Sequence, residues 1–166
     1  MISNSFLACL TDVYKGEILG ESAFDRMLIG AADPEQKFII GSLLQFETEG
    51  KAILRPLLMR LGLPIIEDPG SRQAGSAGGL ELNDLPWIER FGSIADTVKT
   101  QFLPRYLELA TLVSAEEEPD AARVAAFMGR HERALAAAAD NVVAGIPDPI
   151  APVAALLNFP LPRPAT

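Results

Sequence analysis

Glu17, Glu21, Glu47 and His131 occupy positions at which an amphipathic helix would present apolar side chains to its core. Stepping by three or four residues gives Leu7, Leu10, Tyr14, Glu17, Glu21, Phe24 and Leu28 in one segment. A second gives Ile40, Leu44, Glu47, Lys51, Leu54 and Leu58, and a third gives Val124, Phe127, His131, Leu135 and Val142. Such stripes face inward. An ionised carboxylate in a core is very costly unless a cation, a basic partner or a bound proton compensates it. Glu47, Lys51 and His131 are the candidates for catalysis. Lys51, four residues after Glu47, has the favoured orientation for an ion pair on one helix. It can hold the centre together as a buried cation, act as a desolvated nucleophile, or run along the helix edge with its head in water. A lone core histidine such as His131 has a structural reading beside the chemical one. Tyr14 and Tyr106 lie near the same level and can hydrogen-bond a carboxylate or simply pack. Arg130 and Glu132, flanking His131, are expected to face solvent.

The elements that would carry these residues are helices. The pattern predicts a first helix from about Ser5 to Ile29, ended by Gly30. Asp33-Pro34-Glu35 then opens a second helix through a cap, a first-turn proline and a favourable charge. That helix ends at about Leu61 before Gly62 and Pro64, with Pro56 expected to kink or interrupt it. Residues 64–86, rich in Gly and Pro, read as a loop that is mobile at SRQAGSAGG. A third helix starts near Pro86-Trp87 and bends at Pro104. Glu116 to Glu118 form a solvated charge run, and Glu118-Pro119-Asp120 starts a fourth helix that runs to about Ala144 and stops at Gly145. In the tail, 146–166, proline permits one short helix near Ala151 to Leu157. The domain reading is a four-helix unit over 1–145 with the tail packed on it.

Helices of this size are about 37 Å long at ~1.5 Å per residue. The short first and last links make each pair antiparallel, while the long middle segment can cross the full length and return the chain so that the second and third helices run parallel. The fold class is therefore all-α: an antiparallel four-helix bundle with one long crossover and a short C-terminal helix.

The chain has 166 residues, a net charge of −8 and 49% hydrophobic residues. No stretch is rich in Lys or Arg, which argues against a nucleic-acid surface, and no apolar run approaches the ~20 residues of a membrane span. The single cysteine, Cys9, excludes an internal disulfide and reads as a small buried hydrophobe. The expected setting is a reducing cytoplasm. A second apolar row on the second helix, Ile39, Leu43, Phe46, Ile53 and Leu57, is wider than one core requires and predicts a homodimer.

With these helices in place, the chain resembles the ferritin-like superfamily, particularly rubrerythrin-like proteins. The run Tyr14-Lys15-Gly16-Glu17-Ile18-Leu19-Gly20-Glu21-Ser22 is similar to the segment that supplies that family's first metal carboxylate. His131-Glu132 followed by Ala134-Leu135 is similar to its last-helix segment. The resemblance implies iron or manganese held by Glu17, Glu21, Glu47, Glu108 and His131, acting on dioxygen, peroxide or a small molecule. The chain departs from the family's Glu-x-x-His pairs. Gly50 follows Glu47 at that spacing, Met128 precedes His131, and His131 is the only histidine. The competing reading is a metal-free bundle whose Glu–Lys–His network holds its register and which acts as a binding module.

Overall fold

The computed structural model describes residues 1–164. Among them the ordered elements are all helical: α1 (Asn4–Ile29), α2 (Pro34–Arg60), α3 (Pro69–Asn83), α4 (Trp87–Thr97), a π-helical turn (Val98–Phe102), α5 (Leu103–Thr111), α6 (Pro119–Val143) and α7 (Ala151–Ala154). The caps follow the sequence. Ser3 accepts the amide of Phe6, and Asp33 accepts that of Gln36 with Pro34 in the first turn. Gly62 and Gly145 take positive φ of 70° and 68° just beyond α2 and α6, a conformation that favours glycine.

Four rods touch in a ring: α1 on α2, α2 on α6, α6 on α4 and α5, and α5 back on α1. Directions follow from paired residues. Cys9 meets Arg105 and Glu17 meets Tyr106, while Phe24 and Met27 share a cavity wall with Ile94 further back along the α4–α5 rod. That rod is therefore antiparallel to α1. Since a short turn joins α1 to α2, α2 and the α4–α5 rod point the same way, as the long middle segment requires.

The segment 64–86 corrects one expectation. It is not a mobile loop, because Pro69–Asn83 is helical, capped by Asp68 accepting from the Ser71 amide. Its glycines form a packing face. A Cβ on Gly75 would sit 2.1 Å from the Leu19 carbonyl oxygen, and one on Gly79 would sit 2.4 Å from that of Ala23. With no side chains at these positions α3 lies directly against the backbone of α1, and that contact compensates for glycine's ~1 kcal/mol helix cost per residue.

Pro56 and Pro104 behave differently. α2 runs unbroken through Pro56, and Ala52, whose carbonyl Pro56 leaves without its amide partner, is exposed, where solvent can meet that carbonyl. Ahead of Pro104 the α4–α5 rod widens into the π turn, which relieves the clash between the proline ring and the preceding turn.

The apolar core has two lobes. One gathers Phe24, Ile40, Phe46, Phe91 and Leu135, and the other gathers Phe6, Leu10, Leu54, Leu109 and Met128. Glu17, Glu47, His131 and Glu132 are buried between them. The C-terminal segment packs Val153, Leu156 and Leu157 on the first lobe. Glu49 tethers it by accepting the amides of Asn158 and Phe159 and the Asn158 side-chain amide. The second row of α2 that predicted a homodimer is largely buried inside the chain, with Ile39, Leu43, Phe46 and Leu57 all within the core. No helix among the described residues is long and apolar enough to cross a membrane.

Candidate functional site

The polar layer is built by four helices, each contributing one or two groups. α1 supplies Glu17, α2 Glu47, α5 Tyr106, and α6 both His131 and Glu132. Glu17 is fully buried. Its Oε1 accepts the Tyr106 hydroxyl at 2.7 Å, and its Oε2 has no hydrogen-bond partner. The Tyr106 hydroxyl also lies 3.2 Å from the Val13 carbonyl. The His131 ring stacks on Phe46, with centroids 3.7 Å apart, and its Nε2 is 3.1 Å from the Phe46 carbonyl oxygen. As donor to that carbonyl, Nε2 carries the ring proton. Nδ1 is then a bare acceptor, buried with no partner.

Three helix-interior glycines make the layer possible. A Cβ at Gly50 would stand 1.8 Å from Glu17 Oε2 and 3.0 Å from His131 Nε2. A Cβ at Gly20 would be 2.7 Å from the Glu47 carboxyl carbon, and one at Gly16 would be 2.5 Å from the Tyr106 hydroxyl. Gly50, which breaks the Glu-x-x-His spacing, is thus the residue that lets the α1 carboxylate and the α6 imidazole meet.

The electrostatics follow from burial without a directly paired cation, Lys51 pulling Glu17 down only as the smallest of several influences. Desolvation pushes the Glu17 carboxyl well above the ordinary range, the neighbouring Glu132 adds to it, and the Tyr106 hydroxyl and Glu47 oppose it. Glu47 is raised by burial and then by the charges of Glu17 and Glu132. Burial raises Glu132 to about 8 and lowers His131 to about 4. The imidazole is therefore neutral near pH 7, and its 3.5 Å approach to Glu17 Oε2 is not an ion pair. One donor atom each from Glu17, His131 and Glu132 lie within 4.8 Å of one another.

Two expected ligands lie elsewhere. Glu108 is exposed on α5 and pairs with Arg105 at 2.7 Å, because its position falls on the solvent side of that helix. Glu21 lies one turn beyond Glu17, at the rim, where it accepts the Thr48 hydroxyl at 2.7 Å and pairs with Lys51. Lys51 in turn leaves the centre. It pairs with Glu21 and with Glu67 in the segment before α3, and Glu67 also meets Arg72. Of the expected site residues, Glu17, Glu47 and His131 come together. Tyr14, instead of reaching a carboxylate, donates to the Ile65 carbonyl at 2.8 Å.

Glu132 corrects the expectation that it faces solvent, being 3% exposed. α6 is packed by α2, α4, α5 and α7, so between its two ends the exposed residues are confined to a stripe through Arg123, Ala126, Arg130, Arg133 and Asp140. The signal lies in the alanine run 136–139 that follows Ala134-Leu135, since small residues around a helix mark close neighbours on several sides.

The layer is reached from one side. A cavity of about 450 Å³ lies between α1, α3 and the α4–α5 rod. Its inner end is formed by Glu47, Tyr106 and Glu132, its walls include Leu19, Phe24, Ile94, Val98 and Leu135, and the exposed residues Ala74, Glu81 and Ser93 lie at its rim. The π turn contributes Val98 and Phe102 to this wall; such turns recur at functional sites.

Comparison with protein-family models, with curated proteins and with solved structures found no match.

Proposed function

We propose that this protein is a ferritin-like, non-haem metal oxidoreductase with an altered ligand set. Two features support the ferritin-like reading: the ring of antiparallel neighbours and the long crossover that sets α2 and the α4–α5 rod in one direction. The observation that carries the metal reading is the company of the buried carboxyls. Glu17, Glu47 and Glu132 are buried in one layer and no lysine or arginine pairs with them, since Lys51, which acts on Glu17 only at a distance, pairs with Glu21 and Glu67 instead. The metal-free alternative, a Glu–Lys–His network in the centre, loses its lysine for the same reason.

The residues fit a cation. Glu17 Oε2 is buried without a hydrogen-bond partner, donor atoms of Glu17, His131 and Glu132 lie within 4.8 Å of one another, and hard carboxylate oxygens with one imidazole suit iron or manganese. Glu17, His131 and Glu132 would hold the ion, and Glu47, beside Glu17, would complete or bridge the set. A bound ion would supply Lewis acidity or one-electron chemistry toward dioxygen or peroxide. The chain's own part is to hold Glu17 through the Tyr106 hydroxyl, to fix the His131 tautomer through the Phe46 carbonyl, and to flank the centre with two apolar lobes that leave one way in.

Metal analysis of protein purified without chelator tests this. Near-stoichiometric iron or manganese is expected in the wild type and in Glu108→Ala, and lost in Glu17→Gln. Protein that stays metal-free after anaerobic loading with ferrous and manganous salts overturns the reading.

A further inference from the structure

We propose that the cavity between α1, α3 and α4 binds an uncharged, largely aliphatic molecule with a single polar end, an alcohol or a carbonyl, placed against Glu47 and Glu132. The cavity's volume lies within the range of small-molecule sites. At ~30 Å³ for each water-sized group it takes on the order of ten to fifteen non-hydrogen atoms.

The distribution of polarity assigns the ligand's shape. Leu19, Phe24, Met27, Ile94, Phe102 and Leu135 supply a continuous apolar wall, while the buried polar groups Glu47, Tyr106 and Glu132 gather at its inner end. A ligand polar along its length would leave hydrogen-bonding groups unmet against that wall. One with a polar end can donate to, or accept from, a carboxyl at the inner end.

The charge of the lining assigns the head group. No Lys, Arg or His lines the cavity, whereas Glu47, Glu81 and Glu132 do. In the metal-free protein a fatty carboxylate would bring an anion to an end that already holds two buried carboxyls, with no cation lining the cavity to receive it. A neutral head avoids that cost.

α3 forms the outer wall through Ala74, Gly75, Gly78 and Leu82, and it rests along α1 while meeting α4 only weakly. The rim residues Ala74, Glu81 and Ser93 therefore lie along the seam between α3 and α4, which gives the aliphatic tail its way in. Gly78 sets the width at this point. It lines the cavity, and a Cβ there meets nothing within 4 Å. The backbone therefore accepts a side chain at Gly78, beside the cavity, and a large one there tests whether the cavity is the site.

The ligand class rests on the metal reading only for what happens at the Glu47 and Glu132 end, so both metal-free and metal-loaded protein are titrated. Calorimetry with decanol, decanoate and decylamine is the experiment. Decanol is expected to bind both forms with one site per chain, and decanoate to bind the metal-free form at least about tenfold more weakly, equivalent to about 1.4 kcal/mol. Gly78→Phe is expected to lose decanol binding while keeping the wild-type melting temperature and metal content. The proposal is overturned if the wild type does not bind decanol. It is also overturned if decanoate or decylamine binds the metal-free form as tightly as decanol, or if Gly78→Phe leaves decanol affinity unchanged. A protein that binds decanol but takes up no metal sustains this proposal and refutes the metal centre. One that takes up metal but ignores decanol does the reverse.

Discussion

Glu17 and Glu21 lie one turn apart on α1 and meet opposite fates. Glu17 joins Glu47 and Glu132 in a layer with no cation. Glu21, with its side chain 17% exposed, joins Glu67 in a rim network held by Lys51 and Arg72. The crossover makes the difference. Glu67 and Arg72, at the start of α3, give Lys51 a partner outside the core, and the central carboxyls are left without one. Opposite charges at the rim neutralise each other at once, whereas the centre must hold protons or capture a metal.

Substitutions that separate the two regions follow, from the largest effect to the smallest. Gly50→Ala places a methyl group on Glu17 Oε2 and should destabilise the protein by about 3 kcal/mol and abolish metal uptake; chemical denaturation and metal analysis would show both. Lys51→Met removes the buried cation between Glu21 and Glu67, leaving Arg72 and Arg55 as partners of these two carboxylates. Because both retain some solvent contact, the loss should be about 2 kcal/mol, with metal content unaltered.

The same isosteric change should act with opposite sign in the two regions. Glu132 is raised from an ordinary 4.5 to about 8. Between those values the unfolded chain releases a proton that the folded protein keeps. The stabilisation is complete below pH 4.5 and declines by about 1.4 kcal/mol for each unit as pH rises toward 8. His131, lowered from 6.5 to about 4, acts in the other direction, costing stability as pH falls from 6.5 to 4. From pH 6.5 to 8 metal-free wild type should therefore lose stability. Glu132→Gln should flatten that slope, while Glu67→Gln should lower stability at pH 7 by about 1 kcal/mol. Thermal melts across pH decide this. Glu108→Ala, on the surface, should shift stability by less than about 0.5 kcal/mol and leave metal binding intact.

Much of this was legible in local chemistry. Asp33-Pro34, Gly62 and Gly145 marked helix ends because capping depends on a few adjacent residues. Glu17, Glu47 and His131 stood out because a carboxylate or imidazole on an apolar stripe is conspicuous. What stayed hidden depended on neighbours distant in sequence. Gly75 and Gly79 suit a loop by propensity, and only the α1 backbone they press against turns them into a helix face. Glu132 was assigned to solvent on the premise of one buried stripe per helix, which fails for α6. Lys51 pointed to Glu47 by spacing, but the distant Glu67 outcompeted it.

The π turn at Val98–Phe102 carries one further consequence. An α-helix advances about 100° per residue, so one residue more or fewer in a regular stretch rotates everything after it, whereas the wide turn takes up one extra residue within a single turn. Deleting one residue inside the turn should therefore close it to an ordinary α turn and keep Tyr106 on Glu17, while deleting one between Leu103 and Tyr106 should swing the tyrosine away and break the 2.7 Å bond. The irregularity thus absorbs a surplus residue while the centre keeps its register.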